Sequence, residues 1–311
     1  MSLPLDFKPF PIPVVALGPG SLSGVGAGDD ETLDYLTMPQ GMDTYRPPVL
    51  PEPEQLAGHD AVLAVLTAAL AQLRALGADG DGASAAAPAP IDLGGLAPAD
   101  LTLLNQLLGE GEVSAQVLAA PDRSTDVARV RIQESVFAGV WRVIATDNDG
   151  SGDGRVHDTL EVGAIPARLR AAARADVRPE PAAPAALPPG VFNAPSILVE
   201  LAEHRQHWRD GQPAAVVNLT LLPVSPEDIA WIDHQLGTGR VVILSRGYGN
   251  CRITSTRVPN TWRVVYYNSQ DAVILNSVEV TGLPEVACAA AEDLADSAER
   301  LAEVLQWVAR A

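Results

Sequence analysis

Leu63, Leu66, Leu70 and Leu73 recur at the three- and four-residue spacing of one helical face, which predicts a helix near residues 61–76. A short extended run follows at 90–93. Pro98 then opens a second helical pattern at a position where no amide donor is missed, and Gly109 closes it, since glycine accepts the left-handed conformation that ends a helix. Beyond it, alternating apolar residues at 141–146 and 156–162 read as strands.

The same order returns later in the chain. Asn193, before Pro195, is the expected cap of a helix. Residues 215–222 read as a strand, and Pro226 and Gly237 bracket the next helix. Extended runs at 241–245, 251–256, 262–268 and 272–280 are joined by short segments rich in Gly, Asn, Asp and Pro, as an antiparallel meander requires. Leu294, Ala298, Leu301, Leu305 and Val308 then take the spacing of a buried helical stripe.

Laid side by side, the two stretches are copies. Residues 96–113 align without a gap on 224–241, with Pro98, Asp100, Leu108, Gly109, Gly111 and Val113 recurring as Pro226, Asp228, Leu236, Gly237, Gly239 and Val241. Arg131, Ser135, Trp141 and Glu161 return as Arg252, Thr256, Trp262 and Glu279. The expected fold is α+β: two tandem duplicated units, each a mostly antiparallel sheet with helices covering one face. The units are expected over 54–175 and 194–311, after an extended N-terminal arm over 1–53. Between them, over 176–193, lies a linker belonging to the alanine- and proline-rich tract at 171–190. Arg131 and Arg252 are expected to pair with Glu161 and Glu279.

Composition narrows the chemistry. The 311 residues are 47% hydrophobic, ample for two cores. Acidic residues outnumber basic ones 39 to 21, giving a net charge of −18 that disfavours nucleic acid and anionic membrane surfaces as partners. Lys8 is the one lysine, so neither a P-loop lysine nor a Schiff-base lysine is expected. The 61–76 helix is read as too short to span a bilayer and as interrupted by Gln72 and Arg74. No membrane insertion is expected, and Pro11, Pro13, Gly18 and Pro19 break up any export signal. Two cysteines are too few for an unaided zinc or iron–sulfur site, and a cytoplasmic protein without a cofactor fits best.

Several motifs invite chemistry. Residues 147–158, with Asp147, Asp149, Asp153 and Asp158, imitate a calcium loop but are flanked by strands instead of helices, which favours an acidic hairpin tip. His204 and His207, with Glu200 and Glu203, suit a metal by spacing, yet Arg205 and Arg209 make the face read as wet. Cys251, between Arg246 and Arg252, is either a reactive thiol or a small apolar strand residue. Gly247 and Gly249 lack the third glycine and following helix of a dinucleotide site, but they make a good hairpin turn that lifts Tyr248, with Asn250 beside it. The first copy has no aromatic at the corresponding turn. Residues 268–271 are most simply a turn whose polar side chains could also meet a bound backbone. The candidate partner-binding set is therefore Arg246, Tyr248, Asn250, Cys251, Arg252, Asn268, Gln270 and Asp271, with no catalytic or metal-binding residue assigned.

Together, MPQGMDTYRP at 38–47, RIQES at 131–135, ILSRGYGNCRITST at 243–256, NSQD at 268–271 and PEVACAAAED at 284–293 resemble the hydrogenase expression and formation proteins of the HupH/HyaF type. The resemblance runs from about Asp34 to Val308. It implies an accessory chaperone, not an enzyme, for maturation of uptake nickel–iron hydrogenase. By that resemblance, such a protein acts in the cytoplasm on the iron–sulfur small-subunit precursor before its export and assembly, with other hydrogenase assembly factors as further expected partners. It supplies no active site to carry over. The alternative from another class is a thiol-dependent enzyme, or a metal or cluster carrier, acting through Cys251.

Overall fold

The computed structural model describes residues 58–78, 88–118, 129–146, 156–175, 187–247 and 249–308. The expected arm over 1–53 and most of the expected linker lie outside them. The first copy comprises α1 (Asp60–Ala78), β1 (Ile91–Asp92), α2 (Pro98–Leu108), β2 (Val113–Val117), β3 (Arg129–Glu134), β4 (Val140–Thr146), β5 (Val156–Val162) and α3 (Ala167–Ala175). The second comprises α4 (Ala194–His207), β6 (Ala215–Asn218), α5 (Pro226–Leu236), β7 (Thr238–Ser245), β8 (Asn250–Thr256), β9 (Thr261–Tyr267), β10 (Val273–Val280) and α6 (Ala291–Val308).

Helix ends follow the punctuation in the sequence. Gly109 and Gly237, at φ of 55° and 65°, close α2 and α5. At the start of α5, the Ser225 hydroxyl accepts from the Asp228 amide at 2.9 Å, and the Asp228 carboxylate accepts from the Ser225 amide at 3.1 Å. Asn193 does not cap α4 as expected: its side chain donates to the Pro223 carbonyl at 2.6 Å. Asp228 does that work instead, one oxygen accepting from the amides of Phe192, Asn193 and Ala194 at 2.8, 2.9 and 2.9 Å. Burial pushes this carboxyl up, but the backbone hydrogen bonds outweigh it and hold it down at about 2. The strand expected over 215–222 stops at Asn218, whose side chain accepts from the Thr220 amide and turns the chain into a single 3₁₀ turn.

Both copies contribute to one ten-stranded antiparallel sheet in the order β1-β5-β4-β3-β2-β7-β8-β9-β10-β6. The seam is the pair β2 and β7, with Val113 opposite Ser245, Ala115 opposite Ile243 and Val117 opposite Val241. Val113 is the counterpart of Val241, and Val117 that of Ser245. The two copies therefore meet isologously, about a local twofold at Ala115 and Ile243. Bonds flanking the seam repeat this symmetry: the Leu118 amide donates to Arg240, and the Arg246 amide donates to Glu112.

Side-chain alternation gives the sheet two packed faces. On one, α1 and α2 bury Leu104 and Leu107 against Val140, Leu160 and Val162, while α4 and α5 bury Ile197 and Ile232 against Val217, Val278 and Val280. The opposite face holds Trp141, Val143, Val241, Ile243, Trp262 and Val264 beneath Leu169 of α3 and Ala287. Helices also cross between copies, because Ala298 and Leu301 of α6 join the core built by α1 of the first copy.

The helix α1 has 19 residues and is long and apolar enough to cross a bilayer, unlike the shorter segment expected, because it starts at Asp60 and continues to Ala78. Its apolar side is occupied within the protein, where Val62, Leu66, Ala69 and Leu73 are buried.

Candidate functional site

The β7–β8 and β9–β10 turns lie at the same end of the sheet, since Asn250 pairs with Tyr267 and Ser245 with Cys251. This places Arg246, Asn250, Gln270 and Asp271 together. Tyr248 lies outside the described residues. Gly249, at φ 103°, takes a conformation that favours glycine. Arg246 is half-buried: its guanidinium donates to the Gly111 carbonyl at 3.1 Å, tying the hairpin to the first copy across the seam. A side chain at Gly247 would meet the Glu112 carboxylate at 2.1 Å, so hairpin and seam are in close contact.

Asn268 is committed to its own turn. Its side-chain oxygen accepts from the amides of Gln270 and Ala272, each at 2.9 Å, which leaves Gln270 and Asp271 exposed at the tip. Arg252 lies on the helix-bearing face, while its neighbour Cys251 points to the opposite face, only 1% exposed, where a docking partner does not reach it. Burial pushes the Cys251 thiol up to about 12; a hydrogen bond with Tyr266 opposes the shift and Glu279 adds to it. Burial likewise raises Cys288, to about 11, against the nearby Arg170. Both thiols are protonated at neutral pH, the opposite of what a nucleophile or metal ligand needs.

The expected pairing of Arg131 and Arg252 with Glu161 and Glu279 is not what forms. Cross-strand partners show why: Arg131 stands opposite Ile144, whereas Glu161 stands opposite Trp141, so arginine and glutamate project from opposite faces. The same parity separates Arg252 from Glu279. Glu161 instead accepts from the Ala167 amide at 2.9 Å, at the start of α3.

The ion pairs that do form use a different repeated arginine. Arg142 binds Asp158 at 2.6 Å and also reaches Asn105. Arg263, its counterpart, lies 3.1 Å from Asp233, the counterpart of Asn105. Asn276, in place of Asp158, is buried on the neighbouring strand. The carboxylate has thus moved from strand to helix between the copies. Alignment of Asn105 with Asp233 carries that signal, but only once their helices are known to lean over the arginines.

Sequence reading also missed Glu134. It is buried, accepts from the Gly139 amide at 3.2 Å, and is pushed up to about 7 by burial against its backbone hydrogen bonds, with Glu112 and Asp293 adding to the rise. Most of the calcium-like stretch lies outside the described residues, and its last carboxylate, Asp158, is held by Arg142. His204 sits 3.6 Å from Glu200, and the His207 ring contacts the Glu203 carbonyl at 2.8 Å. Among the described residues, no three His, Cys, Asp or Glu side chains gather as a metal would require.

Comparison with known proteins agrees with this reading of a duplicated chain. The family described as HupH hydrogenase expression protein, C-terminal conserved region, matches residues 59–180 and again 191–308. The chain is similar to hydrogenase expression/formation protein HoxQ of Cupriavidus necator, 54% identical over 96% of this chain and 98% of the relative. It is also similar to HupH of Rhodobacter capsulatus, 43% identical over 96% and 98%, and to hydrogenase-1 operon protein HyaF of Escherichia coli, 37% identical over 71% and 74%. A solved chain, hydrogenase expression protein HupH from Thiobacillus denitrificans, is 33% identical over 37% of this chain and 94% of its own, with a TM-score of 0.33. With both copies matched by the family and the Cupriavidus relative covered nearly end to end, the chain belongs to the HupH family of hydrogenase expression/formation proteins.

Proposed function

We propose that this protein is a cytoplasmic accessory chaperone of uptake nickel–iron hydrogenase maturation, holding the iron–sulfur small-subunit precursor before export and assembly. It acts by binding, not by catalysis. The observation that supports this most directly is the sheet end where Arg246, Asn250, Gln270 and Asp271 gather on two hairpins, the first of them anchored across the seam to the other copy. A rigid β-layer that displays short polar turns offers shape and hydrogen bonding to a polypeptide. The buried, protonated thiol of Cys251 removes the main support for a thiol enzyme or metal carrier.

Co-purification with tagged small-subunit precursor tests the reading. Wild-type protein should recover the precursor, and Tyr248→Ala and Gln270→Ala should weaken recovery at least severalfold while circular dichroism stays unchanged. Cys251→Ser should retain it. Failure to recover any hydrogenase component, or loss confined to Cys251→Ser, would remove the proposal.

A further inference from the structure

The two copies build matching cross-sheet rows from unlike residues. On the helix-bearing face one row runs Arg142, Gln133, Ser114, Leu244, Arg252 and Val265; the next runs Ile144, Arg131, Gln116, Val242, Thr254 and Arg263. The local twofold exchanges these rows. In the second copy's half Val242, Leu244, Thr254, Arg263 and Val265 are all buried. Their counterparts in the first copy are Ser114, Gln116, Gln133, Arg142 and Ile144, which are only half-buried, and Arg131 beside them is exposed.

The difference leaves a cleft of about 500 Å³ between α2 and the centre of the sheet, floored by Ser114, Gln116, Arg131, Gln133 and Ile144. Charge on this floor is unbalanced. Asp158 neutralises Arg142, whereas no carboxylate among the described residues pairs with Arg131. The one carboxylate among the residues lining the cleft is Glu110, exposed at the rim. On a chain of net charge −18, a cationic, amide-lined floor selects a ligand that the rest of the surface repels.

We infer that this cleft seats an extended segment of a client polypeptide bearing carboxylate side chains. Arg131 meets a carboxylate through a charge-assisted pair, and Ser114 and Gln116 meet the segment's polar groups. The inference rests on the reading of the protein as a polypeptide-binding chaperone, and it names the chemistry of the segment bound.

The test uses the full chain and a fluorescein-labelled peptide of alternating glutamate and serine, with a glutamine and serine peptide as control, followed by anisotropy at low salt. The glutamate peptide should bind more tightly than the control and lose affinity as salt rises. Arg131→Gln, at an exposed position, should weaken it about tenfold, the scale of one charged hydrogen bond, while Arg168→Gln, at an exposed position of α3 on the opposite face, leaves it unchanged. Equal binding of the two peptides, or an unaltered affinity in Arg131→Gln, would overturn the inference, as would tighter binding of an oligodeoxythymidine of the same length. Because the assay contains no hydrogenase component, its failure is distinct from failure to co-purify the precursor.

Discussion

Glu134 and Cys251 show how far burial alone sets chemistry at single residues. For Glu134 the folded value, about 7, lies above the ordinary 4.5, so folding favours the protonated form. Its contribution is fully present below the unfolded value and is lost as pH rises through about 7. Chemical denaturation should therefore show a decline in stability between pH 5 and pH 8, with a ceiling on the order of 3 kcal/mol from this group. Glu134→Gln should flatten that decline. For Cys251, native iodoacetamide labelling at pH 8 should be slow and become fast on unfolding, since the thiolate is scarce and the sulfur covered. At this scale the sequence was legible where one residue decides its own geometry, as at Gly109 and Gly237. It was silent where a partner arrives from a distant element, as Asp228 does for α4.

Between elements, the exchanged arginine networks explain what a repeat alignment can and cannot convey. Arg131 and Glu161 recur together and invited pairing, yet strand parity puts them on opposite faces. Parity depends on register, which an alignment of copies does not contain. The networks that do form differ in burial: Arg263 and Asp233 are 2% and 6% exposed at the side chain, Arg142 and Asp158 25% and 15%. Asp233→Ala should cost on the order of 3 kcal/mol by stranding a buried guanidinium, while Asp158→Ala should cost about 1 kcal/mol or less. Urea denaturation separates the two. Asp233→Asn combined with Asn276→Asp, which copies the first unit's arrangement, should recover much of the loss. Gly111→Ala should also destabilise, because its new Cβ would lie 2.2 Å from the Ser135 carbonyl oxygen, backbone that yields little.

Across the whole molecule, duplication was readable and the joining of the copies was not. Helix punctuation and strand alternation delimit each unit, and the match of the family to both stretches agrees. Nothing in the alternation of β2 or β7 says which strand lies beside it, so the seam and the crossing of α6 onto α1 emerge only in three dimensions. Severing the chain should expose this dependence. A fragment of residues 187–311 loses the partner of β7 and the surface beneath α6, and should run as a homodimer or aggregate in light scattering, not as a stable monomer.

A frame whose halves are related by a local twofold but whose linings differ has a direction. A visitor lacking twofold symmetry that approaches the helix-bearing side finds an open trough over Arg131 on one flank and a closed floor, its Arg263 already held by Asp233, on the other. Rotation by half a turn would bring its charges against a floor that is already filled. Under the binding role proposed above, the frame would orient its client, choosing one of two otherwise equivalent poses without any moving part.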